Sequence, residues 1–218
     1  MPMTDDTVSL TLDGKRRKAR KGQSVLEAAR DHGIEIPTLC YHEALEPVGS
    51  CRLCVVEVTS SGRARTMASC VTPVEEGMVV ATSTPRIGEI RRMIMRLLLA
   101  RCPDIEIIRR MARDLGVKTN PFPKDSEDCY LCGMCVRACA EIVGVGAIGF
   151  AYRGPKSEVQ PPFGQESNAC IGCGTCTTIC AARTFDLAKV LARRSMHKTG
   201  GAKDILRCTI CEDHYTGT

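Results

Sequence analysis

Two cysteine blocks in the second half of the chain have the same spacing, C-x2-C-x2-C-x3-C. This is the ligand spacing of proteins that carry two [4Fe–4S] clusters, in which the fourth cysteine of each block ligates the cluster of the other block. The first predicted cluster is therefore ligated by Cys129, Cys132, Cys135 and Cys180. The second predicted cluster is ligated by Cys170, Cys173, Cys176 and Cys139.

Disulfides and structural zinc are the alternatives for these blocks, and both fit the spacing less well. Each block places too many thiols on one short loop for disulfides, and zinc sites usually take four ligands as two separated pairs. Alanine follows the fourth cysteine of each block, at Ala140 and Ala181, where the bacterial pattern has proline. This difference costs some turn rigidity but removes no ligand.

A third set of cysteines lies in the first third of the chain with the spacing C-x10-C-x2-C-x15-C. Its members are Cys40, Cys51, Cys54 and Cys70. Plant-type [2Fe–2S] proteins use C-x4-C-x2-C and a distant fourth cysteine, so the first gap is longer here. Structural zinc matches the count of four thiols as well. The secondary structure predicted around the set favours [2Fe–2S].

Local patterns predict how these cysteines are positioned. Asp13-Gly14 is a strong hairpin turn, and Ser24 with Glu27 forms a capping box that begins a short helix. The predicted elements are strands at 8–12, 15–20, 55–58, 64–69 and 79–83 and a helix that ends at Gly33. This is the ubiquitin-like (β-grasp) layout of the plant-type ferredoxins.

The order of these parts resembles the N-terminal iron–sulfur region of the large subunit of respiratory complex I. It is equally similar to the small diaphorase subunit of NAD-reducing hydrogenases and to the N-terminal modules of iron-only hydrogenases. The resemblance covers residues 7–190 and the twelve cysteines of the three sets. It implies an α+β chain with one [2Fe–2S] cluster and two [4Fe–4S] clusters. The expected parts are a β-grasp [2Fe–2S] ferredoxin domain at 1–83, a helical linker at 84–118, a bacterial-ferredoxin-like domain with two [4Fe–4S] clusters at 119–195 and a tail at 196–218.

Two helices are predicted for the linker. Thr84 caps the first helix and Pro85 opens it. Asp104 is expected to cap the second helix, which Gly116 closes. The apolar face of the first helix is predicted to comprise Ile87, Ile90, Ile94, Leu97 and Leu98.

In the family, this region usually holds a further [4Fe–4S] cluster ligated by one histidine and three cysteines. Its motif begins His-Pro after a leucine-rich helix, where this chain has Cys102-Pro103, and the three following cysteines are missing. We therefore expect no complete extra cluster here, and we expect Cys102 to be a buried small side chain rather than a ligand. The tail has Cys208, Cys211 and His214, which can complete a metal site only with ligands from elsewhere.

No catalytic residues are predicted for this chain. The run 144–149 matches G-x-G-x-x-G, but that pattern indicates a dinucleotide site only between a strand and a helix of a βαβ unit. Here it follows a cysteine block and leads into a turn-rich stretch, so we interpret it as a glycine-rich strand. The chain has no P-loop, H-E-x-x-H motif or nucleophile elbow.

Composition bounds the remaining possibilities. The formal charge is +5, but each oxidised cluster with four thiolates carries about −2, so three clusters bring the net charge to about −1. The basic run 15–21 has no interleaved aromatic residues, and we predict no nucleic-acid binding. No segment is apolar enough to span a bilayer, and the first residues do not resemble a secretory signal. With fifteen cysteines, this favours a cytoplasmic location.

The predicted function is electron transfer within a multi-subunit NAD(P)H- or flavin-linked oxidoreductase of the hydrogenase, formate dehydrogenase or electron-bifurcating type. The expected partners are a flavin- and NAD(P)-binding diaphorase-type subunit and a further redox subunit. Clusters transfer single electrons whereas a nicotinamide delivers a hydride, so a flavin must convert between the two. The alternatives are an independent soluble ferredoxin carrier and an iron–sulfur redox sensor. The linker helices and the tail favour the subunit over the carrier.

Overall fold

A computed structural model of the chain describes residues 7–60, 62–118, 120–123, 125–165 and 167–198. The chain forms two compact units. In the described part, the first unit comprises 7–41, 47–103 and 108–125, and the second comprises 42–46, 104–107 and 126–198. Among the helices described, none has both the length and the apolar character needed to cross a membrane.

A five-stranded mixed sheet with the order β2-β1-β5-β3-β4 forms the centre of the first unit. Its strands are β1 (Thr7–Leu12), β2 (Lys15–Arg20), β3 (Val55–Ser60), β4 (Arg63–Ala68) and β5 (Val79–Ala81). β1 and β5 are parallel, whereas β1–β2, β3–β4 and β3–β5 are antiparallel. The mixed sheet, with helix α1 (Val25–Asp31), confirms the predicted ferredoxin-type domain.

The hairpin between β1 and β2 turns where the sequence predicted. Asp13 and Gly14 both have positive φ, at 46° and 78°, as a tight two-residue hairpin turn requires. The Asp13 carboxylate also accepts hydrogen bonds from the backbone N–H (2.7 Å) and the hydroxyl (2.6 Å) of Thr82. The turn residue thus ties the β1–β2 hairpin to the segment that follows β5.

Helix α1 packs on the sheet through its apolar side chains. Its capping box is present as predicted, with Ser24 Oγ accepting from the Glu27 N–H and the Glu27 carboxylate accepting from the Ser24 N–H. The fully buried core between helix and sheet comprises Leu10, Leu12, Val25, Leu26, Val56 and Val80. These side chains are at most 1% exposed, so their burial stabilises the packing of the helix on the sheet.

The two linker helices are α2 (Pro85–Arg101) and α3 (Glu106–Asp114). Thr84 caps α2 as predicted, since its hydroxyl accepts from the Ile87 N–H at 3.2 Å. Helix α3 begins at Glu106, one residue later than the predicted cap at Asp104 implies. The predicted apolar face of α2 was wrong in part: Leu97 is 52% exposed. The buried residues of α2 are Ile87, Arg91, Met95 and Ala100.

The second unit consists of short elements joined by loops. Its helices are α4 (Met134–Arg137), α5 (Thr175–Thr178) and α6 (Leu187–Lys198), and β6 (Gly149–Ala151) pairs antiparallel with β7 (Glu158–Gln160). Helix α4 continues into a π-helical turn over Ala138–Ile142. The predicted glycine-rich strand over 144–149 was wrong except for its last residue, because the strand begins only at Gly149. The glycine run follows a helical turn and precedes a strand, which is the opposite order from a dinucleotide-binding βαβ unit.

Candidate metal centres

The first candidate centre lies in the loops at one end of the sheet. Cys40 follows helix α1, Cys51 and Cys54 lie just before β3, and Cys70 lies in a 3-10 turn directly after β4. The thiols of Cys40, Cys54 and Cys70 are buried, each side chain being 1% exposed, and Cys51 is partly buried. The strands therefore bring together residues that are thirty positions apart in the sequence.

The four thiols of this centre form two pairs. Cys54 Sγ and Cys70 Sγ lie 3.4 Å apart, and Cys40 Sγ accepts a hydrogen bond from the Cys51 N–H at 3.2 Å. Metal–thiolate bonds of about 2.3 Å at tetrahedral angles place two sulfur atoms roughly 3.7 Å apart, so a pair at this separation can ligate one metal atom. The Cys40 and Cys51 side chains also share a hydrogen bond. The four cysteines are thus grouped two and two, which fits a [2Fe–2S] cluster with two cysteines for each iron.

The hydrogen bond within each pair shifts the pKa values of its two thiols in opposite directions. The pKa of Cys51 is lowered to about 6, first by its hydrogen bond with the Cys40 thiol, and that of Cys54 to about 6, first by its hydrogen bond with Cys70. The same hydrogen bonds, followed by burial, raise the pKa of Cys40 and of Cys70. All four thiols must lose their protons to ligate metal, so metal binding at this centre releases protons.

The arrangement of the described residues bears on the zinc alternative. In this part of the chain, no group of three or more His, Cys, Asp or Glu side chains is placed to hold a single metal ion. Four cysteines match either a structural zinc site or a [2Fe–2S] cluster in number, and the ferredoxin-type sheet around them favours [2Fe–2S].

The second candidate centre lies in the second unit, in the loop that leads into α4. Leu131 in this loop has a φ of 56°, and its N–H donates to Cys129 Sγ at 3.4 Å. The pKa of Cys135 is raised to about 12 by burial and then by the neighbouring thiols of Cys132, Cys180 and Cys129, in that order. Cys180 thus shares its surroundings with the three cysteines of the other block.

The third candidate centre lies in the loop that leads into α5. One cavity of the second unit is lined by Cys139 together with Cys170, Cys173 and Cys176. Burial, followed by the neighbouring thiols of Cys173, Cys139 and Cys170, raises the pKa of Cys176 to about 11. Cys139 Sγ also accepts a hydrogen bond from the Ala147 N–H at 3.2 Å. The fourth cysteine of the first block therefore faces the loop of the second block.

Two glycines that the sequence analysis passed over position these loops. Gly133 and Gly174 occupy the same place in the two blocks, directly after the second cysteine, and have left-handed φ values of 72° and 82°. Each precedes a short helix that carries the third cysteine. Glycine adopts this conformation at little cost, so the repeated C-G-x-C could have marked both turns from the sequence.

Three cysteines lie outside the three sets, and the structure describes one of them, Cys102. Cys102 is 0% exposed and follows α2, where its N–H donates to the Leu98 carbonyl at 2.8 Å. This agrees with the predicted buried small side chain. Cys208, Cys211 and His214 of the tail lie outside the described residues.

Comparison with known proteins shows relatives along most of the chain. Residues 5–85 match the family model of the 2Fe-2S iron-sulfur cluster binding domain. The chain is 34% identical over 172 residues to the NADPH-Fe(3+) oxidoreductase subunit alpha of Geobacter sulfurreducens (strain ATCC 51573 / DSM 12127 / PCA), a match that covers 67% of this chain and 20% of the relative. It is 30% identical over 177 residues to the NADH-ubiquinone oxidoreductase 75 kDa subunit of Reclinomonas americana, a match that covers 70% of this chain and 25% of the relative.

A solved structure is also similar. It is a crystal structure of an NAD+-reducing [NiFe]-hydrogenase in the H2-reduced state, with a TM-score of 0.63 and 30% identity. The match covers 75% of this chain and 82% of the hydrogenase chain. By contrast, this chain spans only about a fifth to a quarter of the length of the two curated relatives.

Proposed function

Because this chain belongs to the same family as the matched chain of the NAD+-reducing [NiFe]-hydrogenase and has a 2Fe-2S cluster-binding domain at residues 5–85, we propose that it is an electron-transfer subunit of a larger oxidoreductase. Its cofactors are one [2Fe–2S] cluster in the β-grasp domain and two [4Fe–4S] clusters in the part that follows the linker. When bound, each cluster takes up and releases one electron at a time. The division into 1–83, 84–118, 119–195 and 196–218 is part of the proposal.

One observation carries this proposal: twelve of the thirteen described thiols are grouped in three sets of four. The first set is divided into two close pairs, as the irons of [2Fe–2S] require. In the other two sets, the fourth cysteine comes from the opposite block, which supports the crossed ligation of a two-cluster module. The chain's own contribution is to bury these thiols, which opposes their ionisation, and to donate backbone N–H groups to several of them, which stabilises the anionic form.

Iron and acid-labile sulfide analysis of the anaerobically prepared chain tests the cluster content. Two irons in the first centre and four in each of the others give about ten per chain. A value of about fourteen would show that a fourth cluster exists and that our interpretation of Cys102 and the tail is wrong. A value of about two would limit the chain to the [2Fe–2S] cluster.

The proposed partners are a flavin- and NAD(P)-binding diaphorase-type subunit and a further redox subunit, in the cytoplasm. The proposal places the nicotinamide and flavin sites on the diaphorase-type partner, so the isolated chain is expected not to reduce viologen dyes with NADH. Turnover by the pure chain would contradict this division of labour. Anaerobic purification under mild conditions distinguishes the subunit from an independent ferredoxin carrier, since the subunit is expected to co-purify with redox partners and the carrier to be a lone monomer.

A further inference from the structure

A buried arginine in the first unit lies against the loop of the first centre. Arg91, on the sheet-facing side of α2, is 7% exposed. Its Nε donates to the Leu53 carbonyl at 3.0 Å and its Nη2 donates to the Val55 carbonyl at 2.8 Å. These two carbonyls belong to the residues on either side of Cys54, so the guanidinium brackets one cysteine of the first set.

The surroundings of this arginine are dry. Leu53 is 0% exposed, Cys54 is 1% exposed and Val55 is 2% exposed. Burial lowers the pKa of Arg91, and the negative charge of Cys54 acts in the opposite direction, which indicates that the two side chains interact electrostatically. An arginine remains protonated even so, because its unperturbed pKa is above 12. A permanent positive charge therefore lies beside the thiolate in a medium that screens it weakly.

Burying arginine is costly, and two backbone carbonyls offset only part of that cost. Both carbonyls could have been satisfied by a neutral donor, and most buried helix positions are occupied by apolar side chains. What an arginine adds is charge, together with a planar fork that can hold two acceptors at a defined spacing. The charge matters at this position because reduction of a cluster adds one negative charge, which a nearby cation stabilises.

We propose that Arg91 is a positioning residue of the first centre, which holds Cys54 through the carbonyls of Leu53 and Val55 and raises the reduction potential of the [2Fe–2S] cluster. The inference rests on the proposed [2Fe–2S] site. Its mechanism is twofold: the fork fixes the backbone on both sides of the ligand, and the charge favours the reduced cluster. Removing the charge therefore makes the cluster harder to reduce, even where the cluster remains bound.

Potentiometric titration of the full chain, followed by paramagnetic resonance of the reduced [2Fe–2S] cluster, tests the proposal. Arg91→Gln keeps a donor but removes the charge, Arg91→Met removes both, and Arg91→Lys keeps the charge but not the fork. Arg86→Gln is the matched control, because Arg86 lies on the same helix and is exposed. At a fixed potential, we expect the ratio of reduced to oxidised cluster to fall at least tenfold in Arg91→Gln and Arg91→Met, which is about 59 mV for a one-electron couple.

The other variants decide between charge and simple packing. Arg91→Lys is expected to stay within threefold of the wild-type ratio, and Arg86→Gln within twofold. The proposal is overturned if the charge-free variants bind the cluster at the wild-type potential, or if Arg91→Lys falls as far as Arg91→Gln. It is also overturned if neither charge-free variant assembles the cluster, because Arg91 would then act in assembly alone. Failure of the proposed site itself would look different, since the wild-type chain would show no [2Fe–2S] signal.

Discussion

The crossed ligation of the two [4Fe–4S] clusters can be tested with two quadruple variants that share three substitutions and differ only in the fourth. Both variants replace the three loop cysteines of the first block with alanine, which removes the second centre. One variant also carries Cys180→Ala, and the other carries Cys139→Ala. If Cys180 belongs to the second centre and Cys139 to the third, only the Cys139→Ala variant loses a ligand of the remaining [4Fe–4S] cluster.

The expected magnitudes follow from the grouping of the thiols. Cys139 lines the same cavity as the cysteines of the third centre, whereas Cys180 contributes to the surroundings of Cys135. With Cys180→Ala, we expect about six irons per chain, two in the [2Fe–2S] cluster and four in an intact cube. With Cys139→Ala, we expect at most about five, because a cube held by three cysteines readily loses one iron.

Iron analysis and paramagnetic resonance of the oxidised and reduced variants give the result. The Cys180→Ala variant should show a reduced [4Fe–4S] signal, and the Cys139→Ala variant should show a three-iron signal when oxidised or no cube at all. The opposite pattern, with the intact cube in the Cys139→Ala variant, would mean that each block ligates its own cluster. The two-cluster ferredoxin architecture proposed for 119–195 would then have to be abandoned.

Two further predictions concern backbone positions. Gly133→Ala should destabilise the second unit by about 1 kcal/mol more than Gly174→Ala. Both substitutions bear the left-handed strain, but a Cβ at Gly133 would lie 2.9 Å from Cζ of the half-exposed Phe150 ring, which must shift, whereas the nearest atom to a Cβ at Gly174 is 3.4 Å away. Thermal loss of cluster absorbance measures the difference, and its persistence in a Phe150→Ala background would contradict the steric explanation. Asp13→Ala should cost about 2 kcal/mol in the free energy of unfolding because it removes two hydrogen bonds to Thr82. Asp13→Asn, which keeps an acceptor and tolerates positive φ, should cost clearly less, and equal losses for the two variants would count against this account.

Features governed by neighbours in the sequence were predictable without the structure. The hairpin turn at Asp13-Gly14, the capping box of Ser24 and the cap of Thr84 each depend on a few consecutive residues, and each is present. The match of residues 5–85 to the 2Fe-2S cluster-binding domain supports the predicted [2Fe–2S] cluster, whereas the two [4Fe–4S] clusters rest on the cysteine spacing alone. The ligand sets themselves remain a prediction.

Other features depended on which surfaces the chain brings together. The apolar stripe of α2 suggested that Leu97 would be buried, but the sheet covers the ridge of Ile87, Arg91 and Met95, spaced four residues apart. A buried arginine is improbable from its residue type, and here it is accommodated by the carbonyls of Leu53 and Val55, which are distant in sequence and lie at the start of β3. The sequence predicts the helix, but a helix surface has several overlapping ridges that could pack against the sheet. Only the tertiary contact decides which ridge is buried and which charge lies beside Cys54.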